Sequence, residues 1–445
     1  MAVTRRRFIQ ALGAAGAAAW GLPGCAPRNK VLEPATPRPA NPILVVVFLQ
    51  GGNDFLNMMP PTGGNRAAYE QARPTLAVPA SGLVEIGPGI GLNADLTGLS
   101  LLSDRGRVAW MPGIGMNNPN LSHFVSTDLW GQGSAQPNGT GWLGRWADSA
   151  FDPAGDALRG LTVTDDLPVM LRGATRSFVS ITGPTGFVFP AALLSDRLGA
   201  PWDPALLEAA YDVAVSAPGP VAPTGYGVAA QVGKAFLDAT RSFGTNGSLP
   251  ARTPSVPYPG DAQYPVRRLD GGALSRALAG QLKLVARMIT SGVDAEAYFT
   301  RVGGWDTHAN QAVDHPNLMR MLGGSVSAFY DDLASIQTPA GNAQDRAMVL
   351  VWSEFGRRVR QNDNGTDHGT AGLAFCVGRG VTGGFYGAYP DLGDLDPNGN
   401  MKFTLDFRSL YATVLERWLG VPAADTDALL LQGAPLTPYP RLGFV

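Results

Sequence analysis

Unbroken apolar runs alternate with stretches of helical period along most of this chain. The run 43–49 (ILVVVFL) is continuous and β-branched, the mark of a strand buried on both faces of a parallel sheet. The same pattern predicts strands at 107–111, 296–302, 347–352 and 371–377. Helical spacing puts Leu274, Leu278, Leu282, Val285 and Ile289 on one face of a helix over 274–291, which Gly292 can end. Leu318, Leu322, Val326, Phe329, Leu333 and Ile336 make a second stripe, on a helix read over 315–337. Further helices are expected near 95–104 and over 407–419. Residues 160–182 read as irregular β, and 204–245 carry two helical patterns. Strand-helix alternation of this kind implies an α/β fold with a mainly parallel central sheet and helices on both faces.

Polar residues of one chemical type stand where the strands stop. Asp54 follows the run 43–49, Asp306 and His308 follow 296–302, and Glu354 follows 347–352. In open α/β sheets, ligands bind at the carboxyl ends of the strands. Asp306 and His308 are one residue apart on an extended loop, so both side chains can point the same way. Asp367 and His368 sit between Gly365 and Gly369, either as two ligands or as a ligand with its orienting acid. Carboxylates and neutral imidazoles are the donors a divalent cation takes, so Asp54, Asp306, His308, Glu354, Asp367 and His368 are the expected metal set. Zinc, manganese or calcium would suit it, as one or two ions.

Two other residues are candidates for the chemistry. Ser122, with His123 after it, opens a predicted helix, where a hydroxyl can attack an anionic ester or simply cap the helix. Thr127, Ser126 or a bound water are the alternative nucleophiles. Arg357, or Arg358 beside it, can clamp an oxyanion or pair with Glu354. His315 reads as a surface residue in the first turn of its helix.

Composition narrows the setting. A net charge of −2 and no basic run leave no case for nucleic acid. Residues 1–25 read as an address: Arg5, Arg6 and Arg7 precede Phe8-Ile9, as in a twin-arginine export signal, and the apolar stretch 11–24 is too short to span a bilayer. Leu22-Pro23-Gly24-Cys25 resembles a lipoprotein box, followed by a Pro-rich tether at 26–42 and one domain over 43–445. The expectation is an exported protein, periplasmic or on the cell surface, handled by the export machinery and held to a membrane only by lipid on Cys25. Cys376 is the one cysteine after that point, which excludes an internal disulfide.

The motifs FLQGGNDFLN (48–57), PNLSHFVSTDLW (119–130), GWLGRW (141–146), GGWDTH (303–308), SEFGRR (353–358), TDHGTAG (366–372) and DFRSLYATVLERWLG (406–420) occur in one order. With them the chain resembles a large family of twin-arginine-exported bacterial proteins known mainly as a domain of unknown function. That family is grouped with the alkaline phosphatase, sulfatase and phosphoglycerate mutase superfamily. The resemblance implies an alkaline phosphatase-like fold and a two-metal ancestor, with Asp54 as an early strand-end ligand and Ser122 as nucleophile. Asp306, His308 and His368 would match later ligands. The histidine expected beside Glu354 is missing, and no formylglycine-type segment exists. The implied function is hydrolysis or transfer of a phosphate- or sulfate-type ester, on a small molecule or a polymer. The alternative is a non-catalytic, lipid-anchored protein that binds a glycan, polymer or protein partner on the same scaffold.

Overall fold

The strands, in chain order, are β1 (Ile43–Leu49), β2 (Leu83–Gly87), β3 (Ile90–Asn93), β4 (Val108–Gly115), β5 (Gly160–Thr162), β6 (Val179–Ser180), β7 (Ala297–Val302) and β8 (Gln337–Thr338). They continue as β9 (Gly341–Asn342), β10 (Ala347–Trp352), β11 (Gly356–Gln361), β12 (Thr366–Gly369), β13 (Gly372–Gly378), β14 (Gly384–Phe385) and β15 (Leu405–Asp406). The computed structural model describes residues 33–134, 139–151, 158–176, 178–184, 248–260, 278–293, 295–430 and 439–445, with Ala209. The central sheet runs in the order β14–β4–β13–β10–β1–β7–β5–β6, with β15 also on β4. From β10 to β6 all neighbours are parallel.

β13 is the exception, antiparallel to both β10 and β4. After β10 the chain makes the tight β11–β12 hairpin and enters β13 from the same edge it left. Residues 353–371 are spent in the hairpin at that edge, and none of them crosses the sheet to give the parallel return that a crossover makes. The sheet is therefore mainly parallel, and its strand 371–377 runs against the rest.

Two cores follow from the alternation of side chains along β1. Ile43, Val45, Val47 and Leu49 pack with Leu282, Val285, Leu318, Leu322, Val326 and Phe329 from helices Leu278–Thr290 and Gln311–Leu333. Leu44, Val46 and Phe48 face the other way, toward Trp130, Trp142, Phe407 and Trp418. Trp352 stacks on Phe48 at 4.4 Å and on Trp130 at 5.4 Å between ring centroids. Both faces of β1 are thus dry, which is why its sequence is an unbroken apolar run.

Helix Gln311–Leu333 begins four residues before the expected start, and this turns His315 into the core. Residues 33–42, expected to be tether, are instead held on the amino edge of the sheet. Glu33 pairs with Arg105 and Arg107, Thr36 N–H donates to Arg379, and Arg38 Nε donates to the Trp418 carbonyl. The predicted signal at 1–25, the first part of the tether, the 204–245 helices apart from Ala209, and Leu274 lie outside the described residues. Among the described residues no helix is long and apolar enough to cross a membrane.

Candidate metal centre

Five chain segments meet at the carboxyl edge of the sheet: the turns after β1, β7 and β10, the strand β12, and the approach to helix His123–Gln132. Gly51 and Gly52 have φ of 127° and 76°. A Cβ on Gly51 would strike the Asp306 backbone, and one on Gly52 the Phe355 ring. Only glycine permits both the conformation and the approach.

Four side chains close on one point. His368 Nε2 lies 3.1 Å from Asp306 Oδ1, and His308 Nε2 lies 3.2 Å from the same oxygen. His308 Nε2 and His368 Nε2 are 2.9 Å apart. His123 Nε2 approaches from the other side, 3.3 Å from Asp306 Oδ2. His123, Asp306 and His368 each offer an atom within 4.8 Å of the others, a triad able to hold a metal ion.

The opposite nitrogen of each ring is tied to an acceptor. His123 Nδ1 donates to Glu354 Oε1 at 2.8 Å, His308 Nδ1 to Asp367 Oδ1 at 3.2 Å, and His368 Nδ1 to the Leu121 carbonyl at 2.8 Å. A carbonyl or carboxylate can only accept, so the proton of each neutral ring sits on Nδ1. The Nε2 atoms of His308 and His368 then face each other at 2.9 Å, and all three Nε2 atoms face a carboxylate oxygen of Asp306. That arrangement repels itself unless a positive charge lies among them, either a metal ion or, with no ion bound, a second ring proton of the kind His123 holds at its Nε2. Ligands on one tetrahedral ion, with bonds near 2.0–2.1 Å, stand about 3.3 Å apart, close to the separations found.

The same charges act on protons. Hydrogen bonds to Asp306 and Glu354 push His123 up to about 9, against the opposing effect of burial. Burial works to raise the Asp306 pKa, but His123, His368 and Arg357 overcome it and hold the carboxyl well below its usual range. Phe355 packs on the rings of His123 and His368, with centroids at 5.0 Å and 4.5 Å, and limits their rotation.

The other expected site residues take different parts. Glu354 has a fully buried side chain and accepts from Gly51 N–H, Gly52 N–H and Ser353 Oγ as well as from His123. It holds the His123 ring from behind. Asp367 does the same for His308 from the solvent side. Asp54 is turned away from the histidines: Arg73 holds it in a fully buried, two-pronged ion pair, and Gln311 Nε2 donates to it as well. Arg357 is buried too, and donates to the carbonyls of Gly51, Gly52, Trp305 and Thr366 and to Asp306 Oδ1. It is committed to the protein and is not free to clamp a substrate anion. Ser122 is exposed at the helix N-cap and makes no side-chain capping bond, while Ser126 Oγ donates to the Asn120 carbonyl.

His123 was legible only as the opening of a helix, because its partners come from segments more than 180 residues away. Arg73 and Gln311 carried no local signal either. His315 is buried, with Nε2 3.1 Å from Asn53 Oδ1 and its ring against Trp305. Burial, helped by the charges of Arg73 and Arg357, pushes it down to about 4. The unfolded chain takes up this proton near pH 6.5 and the folded one only near 4. Its contribution is therefore complete above about pH 6.5 and is lost as pH falls toward 4, by about 3 kcal/mol. Urea unfolding of chelator-treated protein at pH 7 and pH 4.5 should show that loss in wild type and a smaller one in His315→Gln. Equal losses would show that His315 is not the group responsible.

Residues 255–430 match a family described as a protein of unknown function (DUF1501). No curated protein matches the chain. The matched span contains Asp306, His308, Glu354, Arg357, Asp367 and His368, whereas Asp54, Ser122 and His123 precede it.

Proposed function

We propose that this chain is an exported, metal-dependent hydrolase (or transferase) acting on a phosphate- or sulfate-type ester. The observation that carries the reading is the triad of His123, Asp306 and His368, whose ligand atoms lie within 4.8 Å of one another, with both histidine Nδ1 atoms held by acceptors. Metal-bound histidines typically have their second nitrogen held in this way. Imidazole and carboxylate donors favour zinc or manganese over calcium. One ion rather than two is the better fit, because Arg73 engages Asp54 and backbone N–H groups engage Glu354.

In this reading His123, Asp306 and His368 hold the ion. When bound, it supplies Lewis acidity toward the ester and a lowered pKa for water. His308 is the most exposed of the three rings, at 43%, and its partner Asp367 is also at the surface. Together they form a dyad suited to moving a proton at His308 Nε2, to the leaving oxygen or from the attacking water or Ser122. Ser122 lies between Leu121 and His123, both of which touch the centre. Arg358, whose charge acts on Asp367, takes over from the buried Arg357 as the arginine proposed to meet the anion.

The test is turnover of aryl phosphates, phosphodiesters and aryl sulfates by metal-loaded protein. His308→Ala should keep its metal and lose about 10²–10⁴-fold in kcat. Wild type that hydrolyses none of the three classes removes this reading.

The competing reading is a non-catalytic binding protein for a glycan, polymer or partner protein. It draws on Phe124, which is 86% exposed beside His123 and offers a stacking face. Stoichiometric metal without turnover would favour it. Export by Arg5-Arg6 and lipid attachment at Cys25 belong to the same proposal, and membrane fractionation of Cys25→Ala decides the anchor.

A further inference from the structure

The Gly51–Gly52 peptide touches both of the charged groups that hold the centre from behind. Its N–H, on Gly52, donates to Glu354 Oε2 at 3.1 Å. Its C=O, on Gly51, accepts from Arg357 Nη2. The next carbonyl, Gly52 O, accepts from Arg357 Nε at 2.6 Å, and the preceding Gly51 N–H donates to Glu354 Oε1 at 2.9 Å. Glu354 in turn holds His123 at 2.8 Å, and Arg357 Nη2 holds Asp306 Oδ1 at 2.6 Å.

We propose that Glu354, the Gly51–Gly52 turn and Arg357 form one positioning unit, which sets His123 and Asp306 as ligands together rather than separately. This rests on the metal-centre reading above and adds a regulation of ligand geometry to it.

The physical link is the peptide plane itself. Its C=O and N–H are fixed antiparallel, so the plane cannot turn to favour one partner without disturbing the other. A guanidinium on the oxygen and a carboxylate on the hydrogen polarise the same unit in the same sense, and each strengthens the other's bond. The turn has no slack to absorb a loss, because both glycines have positive φ and neither has room for a Cβ. Arg357 also joins the Trp305 and Thr366 carbonyls, which flank Asp306 and Asp367. Its bond to Oδ1 fixes the plane of the Asp306 carboxylate, whose Oδ2 faces His123. Glu354 and Arg357 are positioning residues, since neither touches the ion.

The experiment is a double-mutant cycle on metal affinity, using Glu354→Gln, Arg357→Lys and the pair, titrated with zinc and with cobalt(II). Each single variant should weaken binding about 10–100-fold, the range for loss of a partner behind a ligand. The pair should be no more than a few-fold weaker than the worse single. Independent sites would instead multiply their losses within about twofold. The visible cobalt spectrum should change in the same direction in both singles, which loss of stability alone would not produce. Melting of the metal-free variants shows that they fold, and the conservative lysine and glutamine keep the test usable. Multiplied losses, or a single variant within about threefold of wild type, overturn the unit and leave the metal centre standing. Wild type that binds neither ion overturns both.

Discussion

Asp306→Ala should bind zinc or manganese more than about a hundredfold more weakly than wild type and lose all metal-dependent turnover. Replacing partners that stand behind a ligand already costs about ten- to a hundredfold, and Asp306 is the carboxylate at the centre itself. Its Oδ1 lies against His308, His368 and Arg357, and its Oδ2 against His123. Without it, three imidazoles face a buried guanidinium with no anion among them, and a divalent cation would be repelled. Metal analysis of purified protein and calorimetric titration measure the effect. An Asp306→Ala protein that retains stoichiometric metal at unchanged affinity would exclude this site.

The largest loss of stability should come from Arg73→Met. Arg73 and Asp54 have fully buried side chains, and the guanidinium also donates to Asn57 Oδ1 and to the Val359 and Arg358 carbonyls. Removing one partner strands a buried charge, which typically costs about 3–5 kcal/mol. Burial alone would raise the Asp54 pKa, and Arg73 is what brings it below the ordinary value. The Asp54 contribution is thus present above about pH 4 and lost as pH falls below it. Asp54→Asn separates the two roles considered for this carboxylate. As a buried pairing partner, it should lose stability and keep the metal. Loss of metal in a folded Asp54→Asn protein would return Asp54 to the ligand set.

The two effects divide the polar residues of the carboxyl edge into a group that faces solvent and a group that supports it. His308 and Asp367 are open to solvent, Glu354 and Arg357 are not, and Asp54 with Arg73 is equally buried but turned away from the histidines. Gln311 connects the layers, donating to Asp54 and accepting from Thr307 Oγ and Thr366 Oγ. Acids that look equivalent along the chain therefore do three different jobs.

The sequence alone determined the layered architecture, because an unbroken β-branched run such as 43–49 is stable only between two dry faces. It also placed Asp306, His308 and His368, since the loops following parallel strands gather at one edge whatever the details of packing. Local pattern could not decide which acids face the histidines. Glu354 and Asp54 both follow apolar strands, but one accepts from the Gly51–Gly52 amides and His123 while the other meets Arg73, and those partners are set by tertiary approach. The direction of β13 depended on residues 353–371 folding as a hairpin at one edge instead of crossing the sheet. His123 joined the centre, and His315 entered the core, only once helices His123–Gln132 and Gln311–Leu333 were docked. Periodicity reports which face of an element is buried; what a polar side chain at its end will touch is fixed by segments hundreds of residues away.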